Sequence, residues 1–292
     1  MKDVAKLAAY FIATVLLGAL IAPLPFWSAQ SLAQHAGFSL ARYGFETFFH
    51  RAILIAAIAL LWPLLRLTRV RCMADLGLRP NSRWGRDLFA GVAISVVPLL
   101  FCATLLVALH IYSLRHAVAW PRFGKILVTS IIVPLIEEPF FRGIVLGILL
   151  RTGRKYAAII VVSALFAVVH FLKAPDRATE VVTWTSGFSS IAHAVDGLGD
   201  PMLLSAALAT LFFIGLILAD ARALTYSLWL PIGLHAGWIF GSAGFARLAR
   251  QQTLALPWIG KNMLVGIVPL VVAALTWLVM RAWLKYDRAS QV

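Results

Sequence analysis

Eight apolar runs, each about as long as a bilayer-spanning helix, follow one another along this 292-residue chain. Hydrophobic residue types make up 61% of the chain and charged types 13%, so no single soluble core could bury the apolar surface. We therefore predict an all-α polytopic membrane protein, with about eight transmembrane helices in one bundle and one membrane-embedded domain over 1–292. The runs lie at 5–27, 45–65, 88–109, 126–150, 157–172, 202–219, 223–245 and 263–283.

The basic residues predict how the chain lies in the membrane. The formal net charge is +14, yet the cations stand singly between apolar runs and form no basic stripe, which argues against a nucleic-acid partner. With the N-terminus inside, the inner segments hold fifteen Lys and Arg and the outer segments nine. We expect an integral membrane protein that is embedded in the lipid bilayer and has both termini in the cytoplasm.

Ionisable side chains inside the apolar runs mark the place to look for chemistry, because each costs about 2.5–3.5 kcal/mol at the centre of a membrane helix. Run 126–150 contains Glu137, Glu138 and Arg142, and two later runs contain His170 and His235. Glu138 and Arg142 are four residues apart, so they share a helix face and can pair. Glu137 lies about 100° round the helix and needs a different partner.

Depth in the membrane indicates which of these groups can meet. If the fourth and fifth runs form a hairpin turning near Gly153, Glu137 lies 16 residues before the turn and His170 lies 17 after it. At a rise of about 1.5 Å per residue the two side chains are level, roughly 25 Å from the turn. His235, about 12 residues into the seventh run, is expected somewhat shallower but within reach.

Two glutamates and two histidines together suit hydrolysis by an activated water. A carboxylate in apolar surroundings can take a proton from water, while histidines hold the water or stabilise an oxyanion. Zinc is the rival chemistry, with Glu137, His170 and His235 as its ligands, but the chain has no His-Glu-x-x-His motif. We predict that no cofactor is required. Serine catalysis has no support, since no Gly-x-Ser-x-Gly occurs.

At these residues the sequence resembles a known family, the CPBP intramembrane proteases. The family includes the type II CAAX prenyl endopeptidases and bacterial immunity-type homologues. The resemblance rests on the order Glu-Glu-x-x-x-Arg at 137–142, Phe-x-x-x-His at 166–170 and a later His at 235. It covers 88–245, which we take as the catalytic core. The Leu-Gly-Leu-Arg-Pro sequence at 76–80 is also typical of bacterial members, which implies the bacterial inner membrane.

The resemblance implies a role for each matched residue. Glu137 would activate the water, with Glu138 and Arg142 as its support. His170 and His235 would surround the water and the oxyanion. Phe166 would be the motif aromatic beside the substrate cavity, and the family fold is an eight-helix bundle with a cavity open to membrane and water.

One position departs from the family pattern. The third motif of the family reads His-x-x-x-Asn, whereas this chain has Ile239 four residues after His235. An asparagine there would share the face of His235 and could stabilise an oxyanion, so Ile239 would change that part of the cavity.

The predicted function is that of a glutamate-type intramembrane endopeptidase acting on a membrane-associated peptide or protein, or on its C-terminal tail. The alternative is a catalytically degenerate membrane interaction or immunity protein, in which the Glu, Arg and His residues only hold helices together. A transporter is disfavoured because the sequence shows no inverted repeat.

Overall fold

The computed structural model describes residues 2–36, 43–76, 78, 82–118, 120–171, 181–194, 200–253, 257–260, 263 and 265–289. The helices are α1 (Lys2–Ile21), α2 (Pro23–Ala36), α3 (Phe45–Leu67), α4 (Trp84–Ala108), α5 (Pro121–Glu138), α6 (Leu146–Leu150), α7 (Lys155–Val169), α8 (Ser186–Ala192), α9 (Pro201–Thr225), α10 (Trp229–Leu248) and α11 (Ile267–Ala289). A 3-10 turn covers Met73–Leu76 and a π-helix covers Pro139–Val145. Strands β1 (Tyr112–Leu114) and β2 (Ala249–Gln251) pair in antiparallel fashion.

The prediction of an all-α membrane protein is confirmed. Within the described residues, five helical stretches are long and apolar enough to cross a membrane. The count of eight spans stays a prediction, because α7 is shorter and run 126–150 is divided by the π-helix. Of the bacterial-type motif at 76–80, residues 77, 79 and 80 lie outside the described part. The five stretches are Lys2–His35, Phe45–Leu67, Trp84–Ala108, Pro201–Thr225 and Ile267–Asp287.

The chain divides into two compact units. The smaller unit comprises Met1–Arg71 and Val168–Gly199, and the larger unit comprises Cys72–Ala167 and Asp200–Val292. A single domain over 1–292 and a catalytic core over 88–245 both stay predictions.

In the smaller unit, α1 packs closely on α3 and α8. A Cβ added to Gly18 would collide with Ile53 of α3, and one added to Gly187 of α8 would collide with the backbone of Ala19. Such small residues let membrane helices approach backbone to backbone. Beside this contact the buried Glu46 carboxylate accepts a hydrogen bond from the Ser190 hydroxyl, 2.7 Å away, so α3 and α8 are also joined by a polar link.

In the larger unit, α10 lies against α4 at glycine positions. A Cβ on Gly233 would strike the carbonyl of Leu88, and one on Gly237 would strike the Ser95 hydroxyl and lie 2.8 Å from the Val92 oxygen. Glycine spacing of four residues places both positions on one face of α10. The close approach fixes the rotation and depth of α10, and with it the position of every side chain that the helix carries.

Ion pairs fasten α11 to its neighbours in the larger unit. Arg281 donates two hydrogen bonds to the Asp220 carboxylate of α9, at 2.9 and 3.0 Å. Asp287 accepts from Arg83, 3.0 Å away, and also pairs with Arg86 at the start of α4. These contacts lie at the ends of helices, where charged groups can reach water.

We expect Gly237→Ala to lower the thermal stability of the purified protein, although alanine is the better helix former. The added methyl has no space against α4, and overpacking of this kind costs about 1–3 kcal/mol. Thermal unfolding in detergent measures the effect. The matched control is Gly124→Ala in α5, where a Cβ meets nothing within 4 Å, and it should be neutral or stabilising. Equal stability of the two variants would contradict the packing argument.

Candidate active site

A π-helix carries the centre of the site. Pro139 directly follows Glu138 and has no N–H, so the hydrogen bond that this residue would give to the carbonyl of Leu135 is missing. The chain widens into π geometry over Pro139–Val145, a form that occurs mostly as short segments at functional sites. The widened turn directs Arg142 into the interior of the larger unit, where its side chain is fully buried.

Glu138 and Arg142 form a completely buried ion pair. Arg142 Nη1 donates to Glu138 Oε1 at 3.0 Å, and both side chains have no exposed surface. The second amino group of Arg142 donates to the carbonyl oxygen of Gly215 in α9, 3.4 Å away, and the guanidinium lies 4.2 Å from the centre of the Phe166 ring. A buried charge pair is stable only with such additional partners. The arrangement links the π-helix to α7 and α9.

His235 is fixed by the same carboxylate. Its Nδ1 lies 2.8 Å from Glu138 Oε1, and its ring meets Phe166 edge to face with centroids 5.9 Å apart. An ionised carboxylate only accepts hydrogen bonds, so Nδ1 carries the proton and donates it. In the neutral ring Nε2 is then an acceptor. This nitrogen faces Glu137 Oε2 at 4.0 Å.

The two adjacent glutamates occupy different environments. Glu138 is fully buried, whereas the side chain of Glu137 keeps 27% of its surface exposed. The structure pairs Glu138 with Arg142, as their spacing predicts, and directs Glu137 toward His235 instead. One carboxylate therefore belongs to the buried framework, and the other keeps part of its surface exposed.

His170 lies in the smaller unit, one residue beyond the end of α7, and its side chain is exposed. The hairpin turn on which its depth was predicted is present, since Gly153 lies between α6 and α7 with a left-handed φ of +77°. The meeting of His170 with Glu137 stays a prediction.

Ile239 lies one turn after His235 on α10 and is half-buried. Its side chain has no hydrogen-bond donor, and its carbonyl accepts from the Ser242 hydroxyl at 3.5 Å. The face on which the family pattern places an amide is therefore apolar in this chain.

The predicted zinc ligands form no metal site in the described part of the chain. Among these residues, no group of three His, Cys, Asp or Glu side chains is arranged to hold a metal ion. Of the three, Glu137 and His235 face each other. Independence from a cofactor stays a prediction.

Two parts of the site were missed by sequence reasoning. Gly215 supplies a carbonyl to Arg142, and no local signal in α9 indicates it; α9 comes close enough because a Cβ on Gly215 would lie 3.0 Å from Ser163 of α7. The glycine contact between α4 and α10 was also missed. The Gly-x-x-x-Gly-x-x-x-Gly pattern at 233–241 is a signal that could have found it.

One comparison with known proteins gives a match, to a family model. Residues 118–241 match the family model of the type II CAAX prenyl endopeptidase Rce1-like proteins. The predicted family resemblance is confirmed. The matched Rce1-like segment includes all of Glu137, Glu138, Arg142, Phe166 and His235. No curated protein and no solved structure matches the chain significantly.

We expect Arg142→Leu to destabilise the protein by about 3–5 kcal/mol, because it leaves the Glu138 carboxylate buried without its cation. Adding Glu138→Met to this variant should restore much of the lost stability, since both charges are then removed. Thermal unfolding measures both variants.

The matched control is Lys6→Leu, which breaks an ion pair with Asp3 whose side chains are 35% and 33% exposed. Its cost should be about 1 kcal/mol or less for the charge interaction. A loss as small for Arg142→Leu as for Lys6→Leu would show that the buried pair is not what holds the site.

Proposed function

We propose that the chain is a glutamate-type intramembrane endopeptidase. Its Rce1-like segment belongs to a protease family. The observation that carries the proposal is the placement of Glu137 Oε2 opposite Nε2 of His235, 4.0 Å apart, beside a fully buried Glu138–Arg142 pair. A carboxylate and an imidazole acceptor at this separation can hold one water molecule between them.

In the proposed reaction, Glu137 takes a proton from the water while Nε2 of His235 accepts the second hydrogen bond. The water oxygen attacks the carbonyl carbon of a peptide bond and forms a tetrahedral oxyanion. The C–N bond then breaks, and the protonated Glu137 returns its proton to the leaving amine. Glu138 keeps His235 in the tautomer that leaves Nε2 as an acceptor.

His170 is proposed to stabilise the oxyanion. The resemblance assigns it to the group around the water, and its position at the end of α7 puts it four residues after Phe166, which lines the site. Phe166 and Ile239 are proposed to border the substrate. The proposed substrate is a membrane-associated peptide or protein, cut within the membrane or in a C-terminal tail. We propose residence in a bacterial inner membrane with both termini in the cytoplasm.

We expect Glu137→Gln to abolish proteolysis, because the amide keeps the shape of the side chain and cannot take a proton from water. The measurement compares the C-termini of membrane proteins by mass spectrometry, in cells that express the native chain or the variant at equal levels. Products present only with the native chain would identify the substrate.

The matched control is Glu46→Gln, which changes a buried glutamate of the smaller unit that accepts a hydrogen bond from Ser190. Its product pattern should equal that of the native chain. Products that persist with Glu137→Gln would exclude Glu137 as the base.

A non-catalytic membrane interaction protein is the second candidate, and Ile239 favours it. This residue removes the amide donor that the family pattern places beside His235. In such a protein the Glu138–Arg142–His235 contacts would serve only to hold helices together. It predicts that Glu137→Gln still rescues a deletion phenotype and that no cleavage products appear.

We expect Ile239→Asn to raise the rate of cleavage at least tenfold, because one oxyanion donor contributes about 10²–10³ in kcat when well placed. Single-turnover kinetics on the substrate identified above measures the change. Ile239→Leu serves as the control and should leave the rate near the native value. An equal or lower rate with asparagine would mean that the oxyanion does not form on this face of α10.

A further inference from the structure

A cavity of about 330 Å³ lies in the larger unit where the β1–β2 ladder meets α10. Its apolar wall is made by Tyr112, Phe245 and Met263, and its polar wall includes Arg115 and Arg250. Ser242, which also lines it, is seven residues from His235, about 10 Å along α10. The cavity is thus a separate feature from the site described above.

The two arginines lie on one face of the ladder. Arg250 is paired in register with Ser113, and Arg115 follows Ser113 by two residues, the spacing that returns a side chain to the same face. The pairing continues to Arg115, whose backbone N–H donates to the carbonyl of Leu248 at 2.8 Å. Its Nε donates to the Ala249 carbonyl at 3.3 Å, which holds the guanidinium over the ladder. Neighbouring like charges repel each other unless an anion lies between them.

No carboxylate in this part of the chain neutralises the pair. Segments 88–136 and 221–286, which supply α4 from Leu88 onward, α10 and both strands, contain no Asp or Glu at all. Within the described residues, no ion pair joins Arg115 or Arg250 to an acidic side chain. The part of the chain that the structure describes therefore supplies no acidic side chain as the partner of these two arginines.

The surroundings place the cavity at the membrane surface. Trp120 and Trp258 are 67% and 60% exposed, and tryptophan is enriched at the level of the lipid headgroups. Trp258 precedes Ile259, which packs into the core beside Tyr112 and Phe245. Trp120 stacks near Phe123, which approaches Gly244 of α10. Both indoles thus flank the end of the unit that carries the cavity.

We propose that this cavity binds the headgroup of an anionic phospholipid, with the phosphate between Arg115 and Arg250 and the glycerol and upper acyl carbons on Phe245 and Met263. Two guanidinium groups match the phosphate oxygens, and the apolar wall explains why a lipid is preferred to a soluble anion. The proposal does not depend on proteolysis.

Native mass spectrometry of the full chain in detergent tests the proposal. Phosphatidylglycerol and phosphatidylcholine with the same acyl chains are added separately, and the retained adducts are counted. We expect phosphatidylglycerol to be retained in preference. The double variant Arg115→Gln/Arg250→Gln should bind it about 30-fold more weakly, near the level of phosphatidylcholine. Equal retention of the two lipids by the native chain would overturn the proposal.

The matched control is Arg154→Gln, which removes one exposed arginine from the turn between α6 and α7 and should keep the preference. If Arg154→Gln weakened phosphatidylglycerol binding as much as the double variant does, the effect would be one of net charge, and the proposed site would be excluded. The variant Arg115→Lys/Arg250→Lys keeps both charges and should retain most of the binding. If the double Gln variant does not fold, Arg250→Gln alone, whose side chain is exposed, gives the same comparison.

Two competitors distinguish other anions. Inorganic phosphate at millimolar concentration should leave the phosphatidylglycerol adduct in place, and complete displacement would assign the cavity to a soluble anion. A peptide with a free C-terminal carboxylate should also leave it in place. Displacement by that peptide, but not by its amidated form, would assign the arginines to a polypeptide terminus and overturn the lipid proposal.

Discussion

The buried pair of Glu138 and Arg142 is the contact on which the rest of the site depends. Two charges without exposed surface need polar partners beyond each other. The Gly215 carbonyl, the Phe166 face and Nδ1 of His235 all meet this pair. These contacts hold α7, α9, α10 and the π-helix at fixed distances. The ion pair therefore contributes more to the geometry of the site than to the free energy of unfolding.

Close backbone contact between helices sets the distances in the site more precisely than the ion pair alone does. In a membrane, helices gain no hydrophobic free energy from meeting each other, so packing of small residues decides how near they come. Gly233 and Gly237 let α10 touch α4, and Gly215 lets α9 touch α7. His235 lies between the two glycines of α10. Its distance to Glu138 therefore follows from contacts on the opposite side of the helix.

Many of the helices and one of the site contacts could be predicted from the sequence. The features that could not be predicted have physical reasons. The apolar runs located most helices, since their length is set by the bilayer, and the spacing of Glu138 and Arg142 gave their pairing. The π-helix could not be predicted from the sequence. Pro139 removes one helical hydrogen bond, but tertiary contacts decide whether the helix kinks, ends or widens at that point. The Gly215 carbonyl and the β1–β2 ladder join segments more than seventy residues apart, and no local pattern encodes such pairs.

The structural and the catalytic interpretations of the cluster make different demands on its atoms. A purely structural cluster needs only Glu138, Arg142 and Nδ1 of His235, in which the carboxylate contacts the other two groups. It gives no reason for a second carboxylate to lie opposite Nε2 with a quarter of its surface exposed. A carboxylate inside a membrane helix is expensive. The proposed water activation would use a carboxylate that is partly exposed and lies opposite an imidazole acceptor, and Glu137 has both properties.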